Sequence, residues 1–198
     1  MSTISKTDSL LQKAQAFDAE ALGQIFDTHY EQIYRYAYRR LGNKDRAENV
    51  ASETFYRLLN AFKKGQGPSD GVLYWLYRVA NNLVIDLYRQ SDRDPLPIYE
   101  QILSDADPQP EEGMLQVQEQ ARVRWALTKL TEDQQQVLEL KFMEGFDNKQ
   151  VAAILQKTVG SVKSLQHRGL ASLERFLGQA IDEGLFTDIS TTEELGLE

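Results

Sequence analysis

The chain has 198 residues, 41% of them hydrophobic, and 22 Lys and Arg stand against 30 Asp and Glu for a formal net charge of -8. That length allows one or two domains, and the absence of cysteine excludes disulfides and thiolate metal sites. No apolar run approaches the ~20 residues of a membrane span, and the opening residues 1–6 are polar, so no membrane insertion and no secretion signal are expected and the location read is cytoplasmic.

Helical periodicity runs through most of the chain. A short helix is expected over 9–17. Asp18 can cap the next, over 19–41, whose inward stripe is Leu22, Ile25, Phe26, Tyr30, Ile33, Tyr34, Ala37, Tyr38 and Leu41. Gly42 and Asn43 end it. A third helix, over 45–62, carries Ala47, Val50, Ala51, Thr54, Phe55, Leu58, Leu59 and Phe62 inward. Glu48, Asn49, Ser52, Glu53, Tyr56 and Arg57 lie on its other side. The glycine-rich stretch 63–71 reads as a loop, and Asp70 can cap a fourth helix over 72–90.

Residues 91–113 hold four of the five prolines and seven acids. Asp-Pro and Gln-Pro steps disfavour helix there, so the stretch reads as a linker. Helix returns over 114–130. Thr131 with Gln134 and Asp147 with Gln150 have capping-box spacing. They open helices over 131–144 and 147–156, with Gly145 as a stop. Thr158 offers an N-cap oxygen for a helix to 177. Residues 181–198 read as a mobile acidic tail. No strand signal and no internal repeat is present, so the expected fold class is all-α, two helical domains joined by an acidic linker.

Charge is unevenly placed. Residues 20–93 and 119–178 are each +2, whereas 94–118 and 179–198 are each -6. Two mildly basic blocks are thus hidden by the average.

The last two helices read as a helix-turn-helix. Val159, Val162, Leu165, Gly169, Leu170, Leu173 and Phe176 take the inward positions of the last. Ser161, Lys163, Ser164, His167, Arg168 and Arg175 face outward, a mixture able to meet phosphates and base edges in a major groove. The pattern is equally that of a solvated helix face. On the fourth helix, Tyr74, Trp75 and Tyr77 are either core residues or, beside Arg78, Asn81 and Asn82, a stacking surface for unpaired bases. Catalysis is not expected. Neither His29 nor His167 has a nearby nucleophile or ligand-like company, and no phosphate-binding loop is present, so no metal or other cofactor is expected.

Three stretches, in order, resemble the small two-domain sigma factors of bacterial RNA polymerase, the extracytoplasmic-function group of the sigma-70 family. They are Asp-Arg-Ala-Glu-Asn-Val-Ala-Ser-Glu-Thr-Phe-Tyr-Arg-Leu from Asp45, Trp-Leu-Tyr-Arg-Val-Ala-Asn-Asn-Leu-Val-Ile-Asp-Leu-Tyr-Arg from Trp75, and Gln136 to Phe142 with Val159 to Arg168. The similarity spans roughly 9–178.

The resemblance implies a sigma region 2 bundle over 9–92, an acidic linker over 93–113, a sigma region 4 helix-turn-helix over 114–178, and an acidic tail over 179–198. It implies a subunit for transcription initiation that binds core RNA polymerase at its clamp and flap. Glu48, Asn49, Ser52, Glu53 and Arg57 match the polymerase-binding positions, with Asn49 and Ser52 where the family often has Asp and Gln. Phe62, Lys63, Lys64, Trp75, Arg78, Val79 and Asn82 match positions that read and melt the -10 element. Thr158, Ser161, Lys163, Ser164, His167 and Arg168 match those that read the -35 element. The implied partners are core polymerase, duplex and single-stranded promoter DNA, and an anti-sigma factor. A sigma mimic that titrates an anti-sigma factor, and a polymerase-independent helix-turn-helix regulator, are the alternatives. The first sits poorly with retention of Trp75, Arg78 and Asn82, and the second leaves the 45–89 pattern unexplained.

Overall fold

The structure, a computed structural model, describes residues 3–68, 71–90, 122–123 and 125–182. Among these, all regular structure is helical. The chain divides into two compact units, Met1–Ile102 and Leu103–Glu198. The expected linker, the expected cap Asp70 and the tail beyond residue 182 lie outside the described residues.

The first unit holds α1 (Thr3–Gln15), α2 (Ala19–Leu41), α3 (Lys44–Lys63) and α4 (Val72–Gln90). Helices α2, α3 and α4 pack on one another, and α1 lies against α2 and α3. Ala37 of α2 and Ala47 and Ala51 of α3 are fully buried. Each large side chain buried around them, such as Ile33, Leu58 and Leu76, contributes roughly 1.5–3 kcal/mol of transfer free energy.

The helix ends follow from local chemistry. α1 stops at Gln15, short of the expected 17, because Phe17 turns left-handed at φ 62°. Asp18 N–H then returns to the Lys13 carbonyl at 3.1 Å, and Asp18 accepts from Ala21 N–H at 2.8 Å to open α2. Only Gly42 (φ 61°) and Asn43 separate α2 from α3, and Asn43 accepts from Arg46 N–H at 2.9 Å. α3 ends in a Schellman turn. Gln66 N–H bonds the Ala61 carbonyl and Gly65 N–H the Phe62 carbonyl, with Gly65 at φ 65°.

Periodicity misplaced several residues of α2 and α3. Phe26 and Leu59, expected inward, are 43% and 37% exposed, whereas Tyr36 and Arg40 are buried. α2 is covered by α3 on one side and α4 on another, so its buried arc is set by two neighbours rather than one stripe.

In the second unit, residues 122, 123 and 125–128 are helical, and the helix expected to reach 130 ends there. α5 (Glu132–Leu138), a π-helical segment (Glu139–Met143), α6 (Asn148–Leu155) and α7 (Val159–Asp182) follow. The expected continuous helix over 131–144 is thus interrupted. Glu144 N–H bonds the Glu139 carbonyl five residues back at 3.2 Å, which inserts an extra residue into the turn. Leu140 and Phe146 stay buried, while Phe142 and Met143 are 59% and 54% exposed. α7 continues past the expected 177 to Asp182 because its apolar spacing persists to a fully buried Ala180. Gly169 lets α7 approach α5 closely: a Cβ there would stand 3.3 Å from Leu138.

Gln156, at φ 54° and ψ 40°, ends α6 in a left-handed conformation that L side chains adopt at a cost. Gln156→Gly should therefore raise the stability of this unit by about 0.5–1 kcal/mol, the strain relieved exceeding glycine's extra unfolded-state entropy. The urea midpoint of the second unit's unfolding transition checks it, and no increase would show that the turn is unstrained.

Candidate nucleic-acid interface

The helix-turn-helix is positioned by backbone caps. Thr131 N–H donates to Gln134 Oε1 at 3.1 Å, and Gln134 N–H returns to Thr131 Oγ1 at 3.4 Å. Asp147 N–H donates to Gln150 Oε1 at 2.7 Å, while Asp147 Oδ1 accepts from the Lys149 and Gln150 amides at 2.7 and 2.9 Å. Both capping boxes read from the sequence are formed. The link from α6 to α7 is only Gln156 to Thr158, and Thr158 Oγ1 accepts from Ser161 N–H at 3.1 Å. That bond uses one acceptor site of the hydroxyl and leaves its proton to donate. Lys157 adds an ion pair to Asp133 of α5 at 3.1 Å.

These constraints fix which side of α7 meets solvent. Val162, Leu165, Gly169 and Ala180 face inward. Thr158, Ser161, Lys163, Ser164, His167 and Arg168 are all exposed. At about 100° per residue, Ser161, Ser164 and Arg168 form one stripe, with Lys163 and His167 beside it. Arg168 Nε donates to the Ser164 carbonyl at 3.3 Å, a long exposed bond that a stronger acceptor would displace. Val159 and Leu170, expected inward, are exposed. Leu170 lies well round the helix from the Val162–Leu165–Gly169 line.

In the first unit, Trp75, Arg78 and Val79 are half-buried and Asn82 is exposed. Their spacing of three, four and seven residues places them on one face of α4. Asn81, read from the sequence as a neighbour of Asn82 on that face, is buried, as is Tyr77. Lys63 and Lys64 are exposed at the end of α3. Phe62 is buried beneath the loop, where a Cβ on Gly67 would come within 2.9 Å of its ring.

On α3, Glu48, Asn49, Ser52 and Arg57 are exposed and Glu53 half-buried. Glu53 and Arg57 pair with each other, Oε1 to Nε 2.8 Å; being exposed, the pair is worth only a few tenths of a kcal/mol and is readily exchanged for other partners. Partial burial pushes the Tyr34 phenol above its ordinary range, helped by the Glu48 carboxylate, so α2 borders this acidic face. Sequence reasoning missed the apolar component here. Tyr56 and Leu59 are exposed on α3, and Phe26 stacks on Tyr30 with centroids 4.7 Å apart, against Phe55 at 5.0 Å. Tyr56 was legible as outward from its spacing. Phe26 and Leu59 carried no such signal.

The sequence profile described as Sigma-70 region 2 matches residues 25–94, and that described as Sigma-70, region 4 matches 120–173. The chain is 30% identical over 174 residues to the ECF RNA polymerase sigma factor SigW of Bacillus subtilis, an alignment covering 81% of this chain and 90% of that protein. The chain belongs to the extracytoplasmic-function (ECF) group of the sigma-70 family. It is also 34% identical over 173 residues to the ECF RNA polymerase sigma factor BldN of Streptomyces coelicolor, covering 85% of this chain and 64% of that longer relative. In three dimensions it is similar to CnrH, solved in complex with the cytosolic domain of CnrY. The TM-score is 0.63 at 23% identity, over 87% of this chain and 97% of that one, a likeness of fold.

The two profiles divide the sigma factor's candidate contacts between them. Region 2 takes in α3 and α4; region 4 takes in α5, α6 and most of α7. Among the described residues, no helix is long and apolar enough to cross a membrane.

The Asp147 cap makes region 4 sensitive to acid. Hydrogen bonds from the Gln150 and Lys149 amides lower the Asp147 carboxyl below its ordinary value. A lowered folded-state value gives stability that is present above the unfolded value and lost as pH falls through the folded one. Asn keeps a capping oxygen but not the charge that these amides stabilise, so Asp147→Asn should lower region 4's melting temperature at pH 7 and converge with the parent in strong acid. Parallel curves across pH would remove the carboxylate from the account.

Proposed function

We propose that this chain is a promoter-specificity subunit that binds core RNA polymerase through the first unit and reads promoter DNA with both units. The observation that carries this reading is a pair of faces: half-buried Trp75, Arg78 and Val79 with exposed Asn82 on α4, and exposed Ser161, Lys163, Ser164, His167 and Arg168 on α7. The first combines a ring, a cation and an amide, which suits an unstacked base. The second combines cations with short hydroxyls, which suits duplex phosphates and base edges. A chain carrying both grips a promoter at two elements, -10 and -35.

Polymerase docking falls to Glu48, Asn49, Ser52, Glu53 and Arg57, with Tyr56 and Leu59 adding apolar contact beside them. Melting needs no hydrolysis by the sigma factor itself. Extruding a base costs a few kcal/mol, offset by stacking on Trp75, a hydrogen bond from Asn82 and phosphate contacts from Lys63 and Lys64. Phe62 supports the loop from beneath. On α7, Arg168 and His167 are assigned to base edges or phosphate and Lys163 to phosphate, with Thr158 and Ser161 at the helix start. The chain acts in the cytoplasm, where polymerase and chromosome are. CnrH was solved with another protein's cytosolic domain bound, which supports a protein partner here too, an anti-sigma factor.

Transcription in vitro with purified core polymerase and a genomic promoter library tests the reading; a folded chain that yields no polymerase-dependent transcript sinks it. Asn82→Ala should weaken use of the -10 element about tenfold while core binding holds, since only the strand contact is removed. Equal loss of both would make Asn82 structural. Arg168→Ala should weaken -35 duplex binding by ~1–3 kcal/mol if the contact is to a base, or reduce the salt slope by about 1 if it is to phosphate. Unchanged affinity at every salt concentration would take Arg168 off the interface.

A further inference from the structure

Two tyrosine hydroxyls cross the seam between α2 and α4 in opposite directions. Near the middle of α4, Tyr36 of α2 donates its hydroxyl to Asn81 Oδ1 at 2.9 Å. Tyr36 is 0% and Asn81 3% exposed. The Tyr36 ring also meets Tyr77 edge-on, centroids 5.3 Å apart and planes at 71°. Seven residues beyond Asn81, Tyr88 of α4 donates its hydroxyl to the Arg40 carbonyl of α2. The Arg40 guanidinium lies over the Tyr88 ring, 5.5 Å from its centroid. That carbonyl belongs to the last turn of α2, where carbonyls have no partner inside the helix. Residues 81 and 88 are two turns apart and share one side of α4.

The apolar contacts of α4 do not fix its rotation. Val72, Leu76, Ala80 and Val84 are buried, but burial is non-directional and tolerates a small turn of the helix about its axis. A hydrogen bond weakens steeply with angle and distance, and Tyr36 and Tyr88 make two such bonds along one side. At about 100° per residue, Tyr77, Asn81 and Tyr88 form one stripe of α4. Trp75, Arg78, Val79 and Asn82 form another, further round the same helix. The helix is rigid, so turning one stripe turns the other.

We propose that Tyr36 and Tyr88 are positioning residues for recognition of the melted promoter strand. By holding Asn81 and the Arg40 carbonyl, they set the rotation of α4 that presents Trp75, Arg78 and Asn82 to an unstacked base. This rests on the promoter reading of α4 above. Neither tyrosine touches the strand. The two act at different turns of α4, so loss of either loosens the presentation of the whole face.

The test uses holoenzyme and a labelled single-stranded oligonucleotide carrying the -10 element of a promoter that the holoenzyme transcribes. Core binding is measured by competition and thermal stability by the melting midpoint. Tyr36→Phe and Tyr88→Phe should each weaken oligonucleotide binding about tenfold through misplacement alone, with core affinity held within about twofold. Tyr36→Phe strands a buried acceptor, which itself destabilises. Adding Asn81→Leu removes that acceptor, so the double variant should regain the melting midpoint while oligonucleotide binding stays weak. A merely structural role predicts that both recover together, and that result overturns the proposal. So does wild-type oligonucleotide binding in both single variants, or core and oligonucleotide affinity falling in step. Tyr88→Phe leaves Asn81 untouched and carries the test if Tyr36→Phe fails to fold. If the unaltered holoenzyme opens no promoter, the promoter reading itself has failed, an outcome distinct from variants that behave as wild type.

Discussion

Each helix must satisfy the amides and carbonyls that its ends leave unpaired, and two of the links between these helices are too short to do it by wandering through solvent. Gly42 and Asn43 alone join α2 to α3, and Gln156 to Thr158 join α6 to α7. The chain answers with left-handed residues at the exits (Phe17, Gly42, Gly65, Gly145 and Gln156) and side-chain oxygens at the entrances (Asp18, Asn43, Thr131, Asp147 and Thr158). A stop and a start packed into two or three residues leave little freedom in the angle between successive helices. Those angles decide which faces are buried against neighbours. The outward faces of α3 and α7 are what remains.

Within that frame, apolar burial and polar bonding do different work. Burial of side chains such as Ile33, Leu76 and Val84 supplies most of the driving force, at roughly 25 cal/mol per Å² of apolar surface. A single buried hydrogen bond nets only about 0.5–1.5 kcal/mol. It cannot hold a bundle together, but it discriminates between arrangements that bury the same area. Polar groups in the α2–α4 seam are therefore better understood as choosing among packings than as adding to their strength. In region 4 glycine adds to that choosing: at Gly169 α7 approaches α5 so closely that a Cβ would crowd the Leu138 side chain at 3.3 Å.

A net charge of -8 would suggest a protein repelled by nucleic acid. The balance belongs to segments rather than to surfaces. The acids concentrate in 94–118 and 179–198, while 20–93 and 119–178 each carry a small positive excess. Ionic screening confines exposed charges to about 10 Å at 0.1 M salt, so the charges closest to a given face, such as Lys163 and Arg168 on α7, weigh more there than the total. The acidic side of α3 and the basic side of α7 can then serve different macromolecules in one chain.

Helix positions, both capping boxes, the helix stop at Gly42 and the outward sides of α3 and α7 were legible in the amino-acid sequence. Their causes lie within about four residues of where they act: a cap oxygen and its amide, a glycine without a Cβ, an apolar residue every three or four positions. The membership of the α4 face was half legible. Trp75, Arg78, Val79 and Asn82 emerge together, but Asn81 looked equal to Asn82 until its partner Tyr36, 45 residues away in the chain, was in place. Partners comparably far along the chain hid the burial of Arg40 and the exposure of Phe26 and Leu59. Residues at the margin of a helical stripe are buried or exposed according to which second or third helix packs there. That is a property of the assembled bundle, and local periodicity carries no record of it.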